Sequence, residues 1–257
     1  MVQLKHEYLK SIDSTNNEIK RRALKGAEEG QVISAGMQTA GRGRSGHQWE
    51  TPADISIATS LLLRPTMPVE HLHSLTLVAA VAVRRAIEDL YDIETWIKWP
   101  NDVIVQGKKI CGILTEMSAA NGQAEYVVVG IGVNVHQTSF SEELADKAIS
   151  VDMALQEQNP GTQKKGNCEA LTQRIWQEFV LLYEAFCMTQ DLSIVMEEYN
   201  RFLINRNAMV RVLDPQGEWE GIARGINERG ELLVETKEDL RQVDSGEVSV
   251  RGVYGYV

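Results

Sequence analysis

Four β-rich runs crowded between residues 95 and 135, TWIKWP, DVIVQG, KKICGILTEM and EYVVVGIGVNV, constrain this chain more than any other feature. Gln106-Gly107 and Ala120 to Gly122 interrupt them, and both are turn material for hairpins. A mostly antiparallel or mixed sheet is therefore expected. DISIATSLLL at 54–63 reads as a further, buried strand, and Leu72 to Tyr91 carries the Ala, Val and Leu pattern of a long core helix that backs the sheet. Ahead of these, His6 to Lys10 reads as a strand. Thr15 and Glu18, in capping-box spacing before Ile19, Ala23 and Leu24, signal a helix. The fold class is α+β.

MALQEQNPGTQKKGN at 153–167 is polar and turn-rich and reads as a surface connection. Two helices follow, Cys168 to Met188 and Leu192 to Leu203, the first burying Trp176, Phe179, Leu182, Tyr183 and Phe186. Beyond Arg206 the pattern changes to short alternating strands, with turns at Pro215-Gln216-Gly217, Arg229-Gly230 and Ser245-Gly246. This describes a small barrel of roughly fifty residues. A boundary near Asn205 divides the 257 residues into a large domain, 1–205, and a small one, 206–257.

A formal charge of -10 argues against a domain built to hold nucleic acid, since such binding rests on clustered Lys and Arg. No apolar run is long enough to cross a bilayer, and the first ten residues lack the apolar core of a secretory signal. Cys111, Cys168 and Cys187, odd in number and widely spaced, suit reduced thiols, so a cytoplasmic location is expected.

Gly41-Arg42-Gly43-Arg44-Ser45-Gly46 matches the G-x-G-x-x-G pattern of dinucleotide-binding folds, but it runs into His47 to Pro52 and then a strand. No helix opens within it to receive a pyrophosphate. What it offers instead is two guanidiniums and free backbone amides that can close over an anion, as a lid. The alternative is a solvated turn with incidental arginines.

DSTN at 13–16, QTAGRGRSGHQW at 38–49, KWPNDV at 98–103 and KKICGIL at 108–114, in this order, resemble the biotin–protein ligases. The resemblance continues through VVVGIGVNV at 127–135 and GEVSVRG at 246–252. It implies a catalytic domain like that of class II aminoacyl-tRNA synthetases, with helices against a mixed sheet, and a C-terminal SH3-like barrel. DSTN arriving at residue 13 leaves no room for the N-terminal winged helix of some members, so ligation without direct repression is expected. The implied reaction joins biotin and ATP, with Mg2+ assisting, into biotinyl-5′-adenylate. The acyl group then passes to a lysine of a biotin carboxyl carrier protein of acetyl-CoA carboxylase.

By the same resemblance Lys109 and Arg44 are the catalytic candidates, Lys109 bridging the biotin carboxylate and α-phosphate and Arg44 restraining the adenylate. The biotin set is Ser14, Thr15, Asn16, Gln38, Gly41, Arg42, Gly43, Lys109 and Gly112. The nucleotide set is Arg44, Trp49, Lys98, Asn101 and Asn134, with Asp102 shaping a magnesium region. Other readings stand beside these: an exposed hairpin lysine for Lys109, a turn residue for Asp102, helix caps for Ser14 and Thr15, a core ring for Trp49. His47 and Gln48 depart from the more basic residues of many relatives. Homodimerisation occurs in the family, but the sequence shows no symmetric patch. A lipoate or octanoate ligase and a non-catalytic biotin sensor are the rival readings.

Overall fold

The central runs form one broad sheet, buried at almost every position along Ser56–Leu63, Asp102–Val105 and 126–134, with a helix-packed side and a side that bears the cleft. The computed structural model describes residues 2–214, 217–245 and 249–252. The turn reading at Pro215-Gln216, the Gly246 half of Ser245-Gly246, and residues 246–248 and 253–257 lie outside the described residues. The large sheet contains β1 (Lys5–Leu9), β2 (Gln31–Ala35), β3 (Ser56–Leu63), β4 (Trp96–Lys98), β5 (Asp102–Val105), β6 (Lys108–Ala120) and β7 (Gln123–Asn134). Their order is β1-β2-β3-β7-β6-β5-β4. β1 and β2 pair in parallel across helix α1 (Thr15–Leu24), and every other neighbouring pair is antiparallel. The sheet is mixed, as expected.

Both tight hairpins follow from turn chemistry: Gln106-Gly107 and Asn121-Gly122 all hold positive φ, as a two-residue type I′ loop requires. Helices α2 (Leu75–Tyr91) and α4 (Cys168–Thr189) pack on one face against Ile57, Leu61, Val129, Ile131 and Val133. The stripe Trp176, Phe179, Leu182, Tyr183 and Phe186 is buried there. On the opposite face α1 covers only Ile33, Leu62, Tyr126 and Val128 through Ile19 and Ala23. The rest of that face, around Ala58, Gly112, Gly130 and Gly132, opens into a cleft.

Several boundaries differ from the sequence reading. β1 begins one residue earlier, and a 3-10 turn, Val69–Ser74, precedes α2. The N-cap of α1 is Ser14 rather than Thr15, and no side chain caps it. The capping box fails because Thr15 and Glu18 are otherwise engaged: Thr15 donates its N–H to Gln38 Oε1, and Glu18 accepts from Arg21 and Arg22. Residues 153–158, read as connection, belong to helix α3 (Val151–Gln158). Ser150 Oγ caps it on the Met153 N–H, and Val151, Ala154 and Leu155 are buried; that apolar face was masked by the polar residues around it. Helix α5 (Ser193–Arg201) is shorter than the stretch from Leu192 to Leu203.

A second, five-stranded antiparallel sheet follows: β8 (Met209–Asp214), β9 (Gly217–Ile226), β10 (Leu232–Glu235), β11 (Leu240–Val243) and β12 (Ser249–Gly252). Its order is β11-β10-β9-β8-β12. The turn at Arg229-Gly230 docks on the large unit through backbone carbonyls. Trp99 Nε1 donates to Gly230 O at 3.0 Å, Ser74 Oγ to Arg229 O at 3.0 Å, and the Leu192 N–H to Glu228 O at 2.9 Å.

Candidate active site

The uncovered side of the sheet forms a cleft of about 940 Å³. Its floor is flat because glycine occupies the inward positions of two adjacent strands, Gly112 on β6 opposite Gly132 on β7. Trp49 lies across both. A Cβ at Gly132 would stand 2.4 Å from Trp49 Cε2, and one at Gly112 would stand 3.1 Å from Cζ3. The indole Nε1 is buried and has no hydrogen-bond partner among the described residues, a costly state that an acceptor on a bound molecule would relieve.

One end of the cleft is cationic. β4 brings Lys98, β5 brings Asp102 directly across from it, and β6 brings Lys109. A register shift between Val103 and Ile104 sets Lys109 opposite Ile104. Lys109 Nζ sits 2.5 Å from Asp102 Oδ1 and 5.7 Å from the centroid of the Trp49 ring. Arg44 closes this end, with Nη1 donating to Asn101 Oδ1 at 3.2 Å and Nη2 to Ser245 O at 2.5 Å. Asn101 in turn donates Nδ2 to Ile113 O. Burial lowers the Arg44 value, and Asp102 opposes the shift. Lys98 is pushed down to about 8 by burial; Asp102 counteracts this, while Lys109 and Arg251 add to it. The site therefore concentrates positive charge with one carboxylate among it, an arrangement suited to phosphates.

The other end is lined mainly by hydroxyls and amides, with Arg42 paired to Glu116 at its edge. Ser14, Thr15 and Asn16 are buried at the start of α1 and line the cleft. Ser60 Oγ lies 2.7 Å from Thr15 Oγ1 and 2.6 Å from Asn16 Oδ1. Gln38 spends both ends of its amide inside the protein: Oε1 accepts from the Thr15 N–H, and Nε2 donates to Thr51 Oγ1. Asn134 is similarly committed, donating to Ile149 O at 3.2 Å and accepting from Gln137 Nε2 at 3.1 Å. Both line the cleft while holding its wall.

The glycine loop crosses above as irregular chain with one 3-10 turn, Arg44–Gly46, so no helix N-terminus forms. Gly43 donates its N–H to His47 O at 2.7 Å. Gly41 stands apart from the lining residues. A Cβ there would come within 2.3 Å of Trp49 O, so its requirement is close backbone approach. Arg42 reaches Asn17 and Glu116.

The sequence reading thus gathers Ser14, Thr15, Asn16, Gln38, Arg42, Gly43, Arg44, Trp49, Lys98, Asn101, Asp102, Lys109, Gly112 and Asn134 around one cleft. It missed Gln137 and Lys147 in the lining and Glu116 and Ser60 behind it, which bond to Asn16, Arg42 and Thr15, and it gave no role to Arg251, which arrives from β12 of the second sheet. Only the GEVSVRG segment offered a signal for Arg251. Among the described residues no group of three or more His, Cys, Asp or Glu side chains could hold a metal.

Residues 8–134 match the Biotin/lipoate A/B protein ligase family, and residues 207–251 match the Biotin protein ligase C terminal domain. A Bacillus subtilis protein, Bifunctional ligase/repressor BirA, is 35% identical over 95% of this chain and 73% of its own length. The chain belongs to the biotin protein ligases. The Biotin--[acetyl-CoA-carboxylase] ligase of Mycobacterium tuberculosis is 32% identical, over 91% of this chain and 85% of its own. Biotin protein ligase from Aquifex aeolicus, solved in complex with biotin and ATP, superposes with a TM-score of 0.81 at 28% identity, covering 96% of this chain and 99% of that one. The ligase fold accounts for both sheets, and no helix among the described residues is long and apolar enough to cross a membrane.

Proposed function

We propose that this ligase activates biotin with ATP and delivers it to a lysine of the biotin carboxyl carrier protein of an acetyl-CoA carboxylase. Support comes from the convergence of Lys98, Lys109 and Arg44 at one end of a cleft whose other end is lined mainly by hydroxyls and amides. An acid with an uncharged body and ATP would need such a division. A carboxylate oxygen of biotin attacks the α-phosphorus, the bond to the bridging oxygen breaks, and pyrophosphate leaves. Two anionic groups must approach, and preorganised cations offset their repulsion. Lys109 would leave Asp102 for the biotin carboxylate and α-phosphate, Lys98 would hold phosphate oxygens, and Arg44 would close over the adenylate. Trp49 would meet the adenine, with the glycine floor allowing its ring to lie flat. The acceptor amine then attacks the acyl carbon, AMP departs, and the amine loses a proton to solvent.

Magnesium fits as an ion carried on the triphosphate rather than as a resident metal, with Asp102 as the protein carboxylate facing it. When bound it neutralises phosphate charge. Residues 1–205 would carry the chemistry and 206–257 the small second domain, which contributes Arg251 to the cleft. For the acceptor, β6 offers an edge: β5 pairs it only through Gly112, and beyond Leu114 no described strand lies on that side. The charge of -10 favours protein rather than nucleic-acid partners for these 257 residues.

The test is pyrophosphate release from ATP and magnesium, comparing biotin, lipoate and octanoate without acceptor. A burst with biotin alone is expected, and Lys109→Ala should slow it by more than about 100-fold in single turnover, as removal of one preorganised donor does elsewhere. A burst with lipoate or octanoate instead would overturn the biotin reading, and binding of biotin without any burst would make the protein a sensor.

A further inference from the structure

Glu116 projects from β6 beside the polar end of the cleft, its side chain 22% exposed. Three donors converge on it: Lys20 Nζ at 2.5 Å, Asn16 Nδ2 at 2.8 Å, and Arg42 Nη2 at 3.2 Å from each carboxylate oxygen. They come from different parts of the chain, Lys20 and Asn16 from α1 and Arg42 from the glycine loop. Arg42 Nη2 also donates to Asn17 Oδ1 at 2.7 Å, so the loop arginine is clasped between α1 and β6.

We propose that Glu116 is a positioning residue for the biotin end of the site, latching the glycine loop through Arg42 and setting the polarity of the hydrogen-bond chain that lines that end. This rests on the biotin reading above. An ionised carboxylate only accepts, as does Leu114 O, 3.3 Å from the same amide nitrogen. Together they fix Asn16 with Nδ2 toward β6 and Oδ1 toward Ser60. Ser60 then spends its hydroxyl proton on Asn16 Oδ1 and accepts at Oγ from the Thr15 hydroxyl, while Gln38 Oε1 is held by the Thr15 N–H and Gln38 Nε2 donates to Thr51. One charge thereby orders two things at once: the lid residue above the acid and the donors and acceptors beside it. Burial opposes ionisation of Glu116, but Lys20, Asn16 and Arg42 outweigh it and hold the carboxyl below its ordinary value.

Glu116→Gln keeps the shape, removes the charge and allows the new amide to turn its donor toward Asn16. The expected result is a rise of about tenfold in the KM for biotin, the loss of one partly screened charge-assisted contact. The KM for ATP and kcat should stay within about twofold. In the ligand-free protein, trypsin should cut after Arg42 about fivefold faster. Glu116→Gln combined with Arg42→Gln should be no worse than Arg42→Gln alone, because both remove the same latch. A biotin KM and trypsin rate like those of the unaltered protein, or additive losses in the double variant, would overturn the proposal. So would a lower kcat and melting temperature with unchanged KM, which would make Glu116 merely structural. If the unaltered protein releases no pyrophosphate with biotin, the ligase reading fails instead, and the trypsin comparison still judges the latch.

Discussion

Lys98 is 7% exposed and stands beside Lys109 and Arg251, with its value held at about 8 against an ordinary 10.5. Burial is the first cause. At about 1.4 kcal/mol per pH unit, keeping this ammonium charged in the folded protein costs about 3 kcal/mol. The folded value lies below the unfolded one, so between pH 8 and 10.5 the unfolded chain holds more protons. Stability attributable to this group therefore rises with pH through that window, and the full cost is present below it. Lys98→Met preserves the stem and removes the charge. At pH 7 the variant should be more stable than the natural protein by up to about 3 kcal/mol, less whatever Asp102 loses in countercharge, and the gap should narrow toward pH 10. Activity should move oppositely. If Lys98 holds the triphosphate as proposed, the KM for ATP in the natural protein should be flat near pH 7 and climb toward about tenfold per pH unit above 8, while Lys98→Met should have a high KM without that climb. Urea unfolding and steady-state kinetics from pH 7 to 9.5 would measure both. An equal climb in the variant, or a variant less stable at pH 7, would refute the reasoning.

Two further outcomes follow from the lid and the floor. Arg44→Gly removes the donors to Asn101 Oδ1 and Ser245 O and should release the adenylate at least about tenfold faster, one to two charge-assisted bonds being lost. Trapped adenylate on a filter would show it, along with biotin on lysines of a bystander protein, and retention as tight as before would exclude Arg44 from the lid. Gly132→Ala places a methyl 2.4 to 2.7 Å from three atoms of the Trp49 ring and must displace it. If that ring meets adenine, the KM for ATP should rise about 5- to 150-fold, given roughly 1–3 kcal/mol for a base stacked on an aromatic, with little change for biotin. Equal changes for both substrates would indicate damage to the sheet alone.

Much of the architecture was legible in the sequence because it is local. Gln106-Gly107 and Asn121-Gly122 dictate hairpins through φ, the short β-rich runs of 95–135 dictate strands, and the loop at 41–46 excludes a dinucleotide fold simply because no helix follows it. The ordered motifs also named the residues that meet in the cleft. Helix α3 was hidden by its polar face, and the cap of α1 was misplaced because Thr15 and Glu18 found partners far along the chain or on another turn. What only the tertiary structure decided was the division of labour among the named residues. Gln38 and Asn134 are spent on the walls, Gly41 on backbone contact, and Gly112 with Gly132 on a floor for Trp49. Glu116 becomes a hub, although along the chain it is one polar residue in a strand tail, 74 positions from Arg42 and 100 from Asn16. Arg251 reaches the cleft from the second sheet. Sequence fixes which groups a segment carries and the turns that join it to its neighbours. Which donor meets which acceptor depends on strand register and domain docking, and those are set by burial of the whole core.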